Sequence, residues 1–310
     1  MLELYEVKIR FYAPSPALSE YFLRYYFLET IAPEPVEHSE SEAGSGLVED
    51  TLFPEWGTFR IYDGSRPLIE SRSGLSVSGT NFIVAGPLVE ETRMSIGTAR
   101  QWGVVLSPVG WAHIVAAPAA DFANAVFDGH QHPAFERFRQ LPAAVFADDN
   151  DPDAQQERLE KFLLEFLATP KPEEAQVRKI YEACLDPRFH TVGEFADHLG
   201  MSRRKLERLC KRHFGFAPKM LLRRQRFLRS LSLFTVDPTL KWIRAIDEGY
   251  HDQAQFVRDF KQFMGMTPRD YASLAKPILS VALRERDRFV RELADQSREW
   301  EGAPGPGQAP

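Results

Sequence analysis

Four residues recur at a fixed offset in the last third of the chain. Arg208, Lys211, Gly215 and Pro218 return fifty residues later as Arg258, Lys261, Gly265 and Pro268. Arginine presents a planar fork of donors that fits the major-groove edge of guanine, and a glutamine amide fits adenine. Lysine and arginine farther along a helix suit phosphate oxygens. The hydrophobic positions keep the same offset, with Leu206 becoming Phe256 and Phe216 becoming Met266.

Such side chains read DNA only if a helix holds them on one face. Each copy carries signals for that. A short helix ends near Gly200 or Gly249, a cap follows at Ser202 or Asp252, and a second helix runs to Gly215 or Gly265. Ser and Asp accept from the free amides of a first helical turn. Glycine takes the left-handed conformation that ends a helix. Helix, tight turn and capped helix make a helix-turn-helix. In the second copy Phe256, Phe260 and Phe263 fall on one inward face, leaving Ala254, Arg258 and Lys261 outward, flanked by Gln255 and Gln262. In the first, Leu206, Leu209, Cys210 and His213 face inward. Arg204, Arg208 and Lys211 face outward, flanked by Lys205 and Arg212. Phosphate contacts are expected from Lys205, Lys211, Arg212 and Lys261.

Residues 217–234 join the copies. Leu221, Leu222, Phe227, Leu228 and Leu231 predict a central helix buried against both, with Arg223, Arg224, Arg226 and Arg229 over its other faces. A rigid connector suits two readers about 34 Å apart in successive major grooves. Charge agrees with this division. Residues 175–276 hold 20 Lys and Arg against 11 Asp and Glu, a balance of +9 within a chain of net charge −6. A basic segment in an acidic chain is the expected footprint of a nucleic-acid surface.

Residues 175–276 resemble the DNA-binding domain of the AraC/XylS family of bacterial regulators. The stretches Glu194–Pro218 and Trp242–Tyr271 carry the likeness. Its most specific run is Gly249-Tyr250-His251-Asp252-Gln253-Ala254-Gln255-Phe256, then Arg258, Phe260-Lys261 and Gly265-Met266-Thr267-Pro268-Arg269-Asp270-Tyr271. The resemblance implies base reading by Arg204, Glu207 and Arg208, and by Gln253, Ala254, Gln255 and Arg258. One departure is Trp242-Ile243-Arg244-Ala245-Ile246-Asp247, where the family is alanine-rich.

The acidic remainder reads differently. Short apolar runs end at turn residues: Thr58–Tyr62 before Asp63-Gly64, Leu75–Val77 before Ser78-Gly79, Asn81–Ala85 before Gly86-Pro87, Gln101–Leu106 before Ser107-Pro108. Many short strands at even spacing predict a sandwich or barrel. Residues 34–50, rich in Glu with Gly44 and Gly46, read as a mobile loop. Trp111–Ala125 reads as helix, and residues 148–153 as an acidic break. Leu159, Phe162, Leu163, Phe166 and Leu167 form a helical stripe. Pro54-Glu55-Trp56-Gly57 and Leu106-Ser107-Pro108-Val109-Gly110 resemble an uncharacterised subgroup of the cupin-like sensory domains attached to such regulators.

The expected fold is α+β, an N-terminal β-rich cupin-like barrel or sandwich followed by an all-α double helix-turn-helix domain. Residues 1–168 form the sensory or dimerisation domain with a C-terminal helix. Residues 169–174 are the linker, placed by Thr169-Pro170-Lys171-Pro172. Residues 175–276 bind DNA, 277–300 add an amphipathic helix, and 301–310 form a disordered tail.

Other chemistry is thin. Two cysteines, Cys184 and Cys210, cannot make a disulfide framework and fit a reducing compartment. Cys210 and His213 replace Phe260 and Phe263 of the repeat, so they read as core rather than zinc ligands. Cys184 has only Arg188 in view to lower its pKa, too little for a redox sensor. His130-Gln131-His132 lacks the further ligands a metal needs and reads as a surface loop. Trp56, Trp102 and Trp111 read as core before effector pocket. No cofactor, metal or catalytic set stands out. No apolar run reaches about 18 residues, so no membrane is expected, and the start of the chain lacks the pattern of a signal peptide. The reading is a cytoplasmic, non-enzymatic transcription regulator on double-stranded DNA. Expected partners are a small-molecule effector, RNA polymerase and a second copy in a homodimer. Two alternatives are an enzyme with an appended DNA module and an architectural DNA binder without effector.

Overall fold

A computed structural model describes residues 6–31, 46–147, 150–167, 173–236 and 245–302. Most of the linker and of the tail and half of the segment 242–247 fall outside these residues, as do 34–45 of the expected loop and 148–149 of the acidic break.

Among the described residues, ten strands form two antiparallel sheets. They are β1 (Glu6–Tyr12), β2 (Phe22–Ile31), β3 (Val48–Leu52), β4 (Thr58–Gly64), β5 (Leu68–Ser71), β6 (Ser76–Val77), β7 (Phe82–Ala85), β8 (Thr92–Ile96), β9 (Ala99–Leu106) and β10 (Val126–Asp128). The larger sheet has the order β1-β2-β9-β4-β7-β10 and the smaller β3-β8-β5-β6. Ile9, Leu28, Tyr62 and Ile83 of the larger pack with Val48, Ile69, Met94 and Ile96 of the smaller, so the domain is a sandwich. The larger sheet's other face, with Phe22, Tyr25, Phe59, Phe82 and Trp102, carries helices. A sheet covered on both sides explains why β7 is buried throughout and reads as the uninterrupted run Phe82-Ile83-Val84-Ala85.

The covering helices are α1 (Pro108–Gly110), α2 (Leu141–Phe146) and α3 (Pro152–Leu164). Two sequence readings change here. Trp111–Ala125 is not one helix. It is a π-helical turn at Trp111–Val115, then Ala116 in the left-handed region at φ 59°, then a 3-10 turn at Ala119–Phe122. Pro118 cannot donate to a continuing helix. The end of the expected loop 34–50 is instead strand β3, whose Asp50 is buried.

The α-helical part comprises α4 (Glu174–Leu185), α5 (Val192–His198), α6 (Arg203–Phe214), α7 (Pro218–Val236), α8 (Gln253–Met264), α9 (Pro268–Ser273) and α10 (Pro277–Gly302). It is packed onto the sandwich rather than strung beside it. One core runs from Phe59 and Trp102 through Leu159 to Ile180, Leu206 and Leu221. Helix α10 doubles back onto β1 and β3.

Asp50 holds the start of α10. Its Oδ2 accepts from the amides of Ile278 at 2.8 Å and Leu279 at 2.7 Å. Burial outweighs these bonds and pushes the carboxyl up to about 6. A pKa raised on folding means a group protonated more readily in the folded chain, so its contribution to stability grows as pH falls through about 6. Between pH 7 and pH 5 this group should add about 1 kcal/mol. Asp50→Asn keeps an accepting oxygen but cannot titrate. Urea unfolding at the two pH values should show that increment in the parent and not in the variant. An equal pH response in both would refute the assignment.

Candidate nucleic-acid interface

The caps form as local chemistry requires. Thr191 and Glu194 make a capping box on α5. The Ser202 hydroxyl accepts from the Lys205 amide at 3.3 Å, starting α6. The Asp252 carboxylate accepts from the Gln255 amide at 2.6 Å, starting α8. Helices α6 and α8 end at Gly215 and Gly265, both left-handed, at φ 84° and 65°. Those same glycines let both helices dock end-on against the sandwich domain. A Cβ on Gly215 would sit 3.2 Å from the Ala119 carbonyl, and one on Gly265 only 2.6 Å from the Glu91 carboxylate.

The end of α8 is bonded as well as packed. Arg72 donates to the carbonyls of Gln262 at 2.5 Å and Lys261 at 3.4 Å. The Glu91 amide donates to the Phe263 carbonyl at 3.0 Å. A cation at a helix C-terminus meets both the free carbonyls and the negative end of the dipole. Exposed polar residues run along the outward faces of both helices, from their N-terminal turns to Lys211, Arg212 and Lys261 near the docked ends.

Arg204, Lys205, Glu207, Arg208, Lys211 and Arg212 are exposed on α6, with Leu206, Leu209, Cys210, His213 and Phe214 buried behind them. Gln253, Ala254, Arg258 and Lys261 are exposed on α8, with Phe256, Phe260, Phe263 and Met264 buried behind. The two faces differ in how free their side chains are. Arg208 lies 3.3 Å from the Glu173 carboxylate, Arg212 3.8 Å and His213 3.0 Å. Burial works against the Glu173 charge, but His213, Arg208 and Arg212 outweigh it and hold the carboxyl below its usual range. Lys211 pairs with Glu207 at 2.9 Å. On α8 the Gln255 side-chain oxygen accepts from the His251 amide at 3.1 Å, so this residue helps cap the helix. Arg258 lines a cleft between the two helical units with Gln255, Lys219, Arg223, His190 and His251. Sequence reading gave no role to Glu173, Lys219 or His190, and named His251 only within the run that carries the resemblance, because none of them repeats at the fifty-residue offset.

Two arginines expected on the surface of α7 are inside. Arg224 is 1% exposed. It donates to the Leu88 carbonyl at 2.9 Å and the Pro54 carbonyl at 3.1 Å, and its guanidinium lies 4.3 Å from the Trp56 ring centre. Burial lowers its pKa to about 10. Arg226 is nearly as buried and reaches Asp259. The sandwich domain covers the face of α7 that carries Arg224.

The remaining chemical candidates have structural partners. His130 bonds Asn81 at 2.7 Å, and His132 accepts from the Ala134 amide at 3.2 Å. Both cysteines are buried, and burial pushes the Cys184 thiol up to about 12 and Cys210 upward too. Trp102 and Trp111 are fully buried and donate to Gln155 and the Ala117 carbonyl. Among the described residues, no group of three or more His, Cys, Asp or Glu could hold a metal ion, and no helix is long and apolar enough to cross a membrane.

Residues 195–273 match the family described as "Helix-turn-helix domain". No curated protein matches the chain. Among solved structures, ToxT from Vibrio cholerae O395 bound to (E)-4-(8-methylnaphthalen-1-yl)but-3-enoic acid is 10% identical, with 86% of this chain and 98% of that one covered and a TM-score of 0.43. A second crystal form of Vibrio cholerae ToxT is 12% identical, covering 86% and 97%, at 0.40. The AraC-like transcriptional activator CuxR is 12% identical, covering 72% and 86%, at 0.28.

Proposed function

We propose that the chain is a sequence-specific DNA-binding transcription regulator, its residues 195–273, which match a helix-turn-helix domain, being of the AraC type, and that its sandwich domain senses a small molecule. The observation that carries this is the pair of capped helices α6 and α8, each apolar inward and polar outward, seated end-on on one domain. Their exposed N-terminal halves present Arg204, Glu207 and Arg208, and Gln253, Ala254, Gln255 and Arg258, to base edges. Lys205, Lys211, Arg212 and Lys261 follow for phosphates. In this reading an effector acts by favouring one packing of sandwich against helices over another. Action in the cytoplasm, contact with RNA polymerase, pairing into a homodimer and the absence of catalysis belong to the same reading.

Genome-wide mapping of bound sites, followed by binding to a recovered site in rising salt, tests it. The logarithm of affinity should fall linearly with the logarithm of salt, by about 0.9 for each phosphate contacted. Binding without sequence preference would favour an architectural role, and no binding at low salt would refute the proposal.

A further inference from the structure

A cavity opens between the two sheets and is closed by α10. Its walls are largely apolar, with Ile9, Leu28 and Met94 from the sandwich and Ile278 and Leu283 from α10. Into this setting come three arginines, Arg24, Arg60 and Arg286, against one carboxylate, Glu55. The lining therefore carries two more positive charges than negative ones.

Among the described residues, the hydrogen-bond accounts of these arginines are incomplete. Arg60 is 1% exposed. It donates from Nη2 to Glu55 at 3.0 Å and from Nε to the Tyr26 hydroxyl at 3.3 Å, while its buried Nη1 has no partner. Arg24 donates from Nη2 to Glu55 at 3.2 Å, and its buried Nε has none. Glu55 is thus shared between two guanidinium groups. Among the described residues Arg286 reaches only the Ser232 hydroxyl, at 3.3 Å, and burial lowers its pKa. A buried cation short of countercharge and acceptors is costly. A bound anion with two oxygens would supply both, since guanidinium and carboxylate match as forks.

We propose that this cavity binds a compact organic acid, its anionic head held by Arg24, Arg60 and Arg286 and its apolar body against Ile9, Leu28, Met94 and Leu283. The inference deepens the reading of the sandwich as a sensor and rests on it. Arg286 gives the site a route to the DNA-binding part. It stands on α10, bonds Ser232 of α7, and also lines the cleft between sandwich and α7 beside Trp56 and Arg224. An acid that draws Arg286 inward changes what α7 packs against.

Calorimetric titration of the full chain with octanoate, 1-naphthoate and octanol tests the site. At least one acid should bind one to one, with octanol at least about tenfold weaker, because hydrogen bonds to charged groups are lost. Arg286→Gln and Arg24→Gln should each weaken the acid about tenfold or more while melting close to the parent. Arg60→Gln is less useful alone, since this residue is buried in the core. Failure of both acids to bind below millimolar concentration overturns the proposal, as does equal binding of octanol. Acid binding unchanged in both well-folded variants overturns it too. DNA affinity measured with no acid present tests the regulator reading separately, so the two can fail independently.

Discussion

Asp259→Ala should cost about 3–5 kcal/mol of folding stability, the range for removing one partner of a buried ion pair. The Asp259 side chain is 2% exposed. It pairs with Arg223, lies 3.4 Å from Arg226, and accepts from the Tyr250 hydroxyl at 3.2 Å. Arg226 in turn donates to the Gly249 carbonyl at 3.0 Å and sits 4.3 Å from the Tyr250 ring centre. One carboxylate therefore ties α8 to α7 and to the turn that precedes it. Alanine would leave the Arg226 guanidinium, itself only 10% exposed, without its ion-pair partner. Asp259→Asn keeps an acceptor of the same shape and should fall between parent and Ala. Urea unfolding of the three proteins measures this. A cost below about 1 kcal/mol for Ala would mean that water reaches the cluster and that the connection is weak.

Arg258→Ala should weaken binding to a specific site by about 1–3 kcal/mol if the side chain reads a guanine, and weaken random DNA less. Among the described residues Arg258 has no hydrogen bond or ion pair within the chain, so nothing must be broken before it meets DNA. Arg208→Ala should produce a smaller net loss at its own base position, because Arg208 gives up Glu173 when it binds. The same contact predicts that Glu173→Gln strengthens binding to every sequence, since a carboxylate beside Arg208 and Arg212 repels phosphate. Binding to a library of single-base variants separates these effects. Two readers should relax preference at two positions about one helical turn apart. If Arg258→Ala weakened every variant equally while Arg208→Ala relaxed one position, α8 would be a brace and the two-groove arrangement would fail. A Glu173→Gln variant that bound no better would show that the carboxylate does not compete with DNA.

The helical units were legible in the sequence because their determinants are local. Caps act within four residues, apolar faces repeat every three or four, and Gly215 and Gly265 end helices by their own conformational freedom. A repeat at fifty residues doubles those signals, so the ends of α6 and α8 and their inward faces follow from residue order alone. Strand positions could be read from turn residues for the same reason. What the side chains do once the elements pack could not be read. Arg224 and Arg229 are the same residue type on the same helix, yet Arg224 is buried and bonded where Leu88 and Pro54, 136 and 170 residues away in sequence, offer their carbonyls. Glu173 next to Arg208, Asp50 at the head of α10, and the arginines gathered over Glu55 likewise depend on which surfaces meet. Periodicity and capping are properties of neighbours along the chain, whereas burial and charge pairing are set by neighbours in space, and only the tertiary structure chooses those.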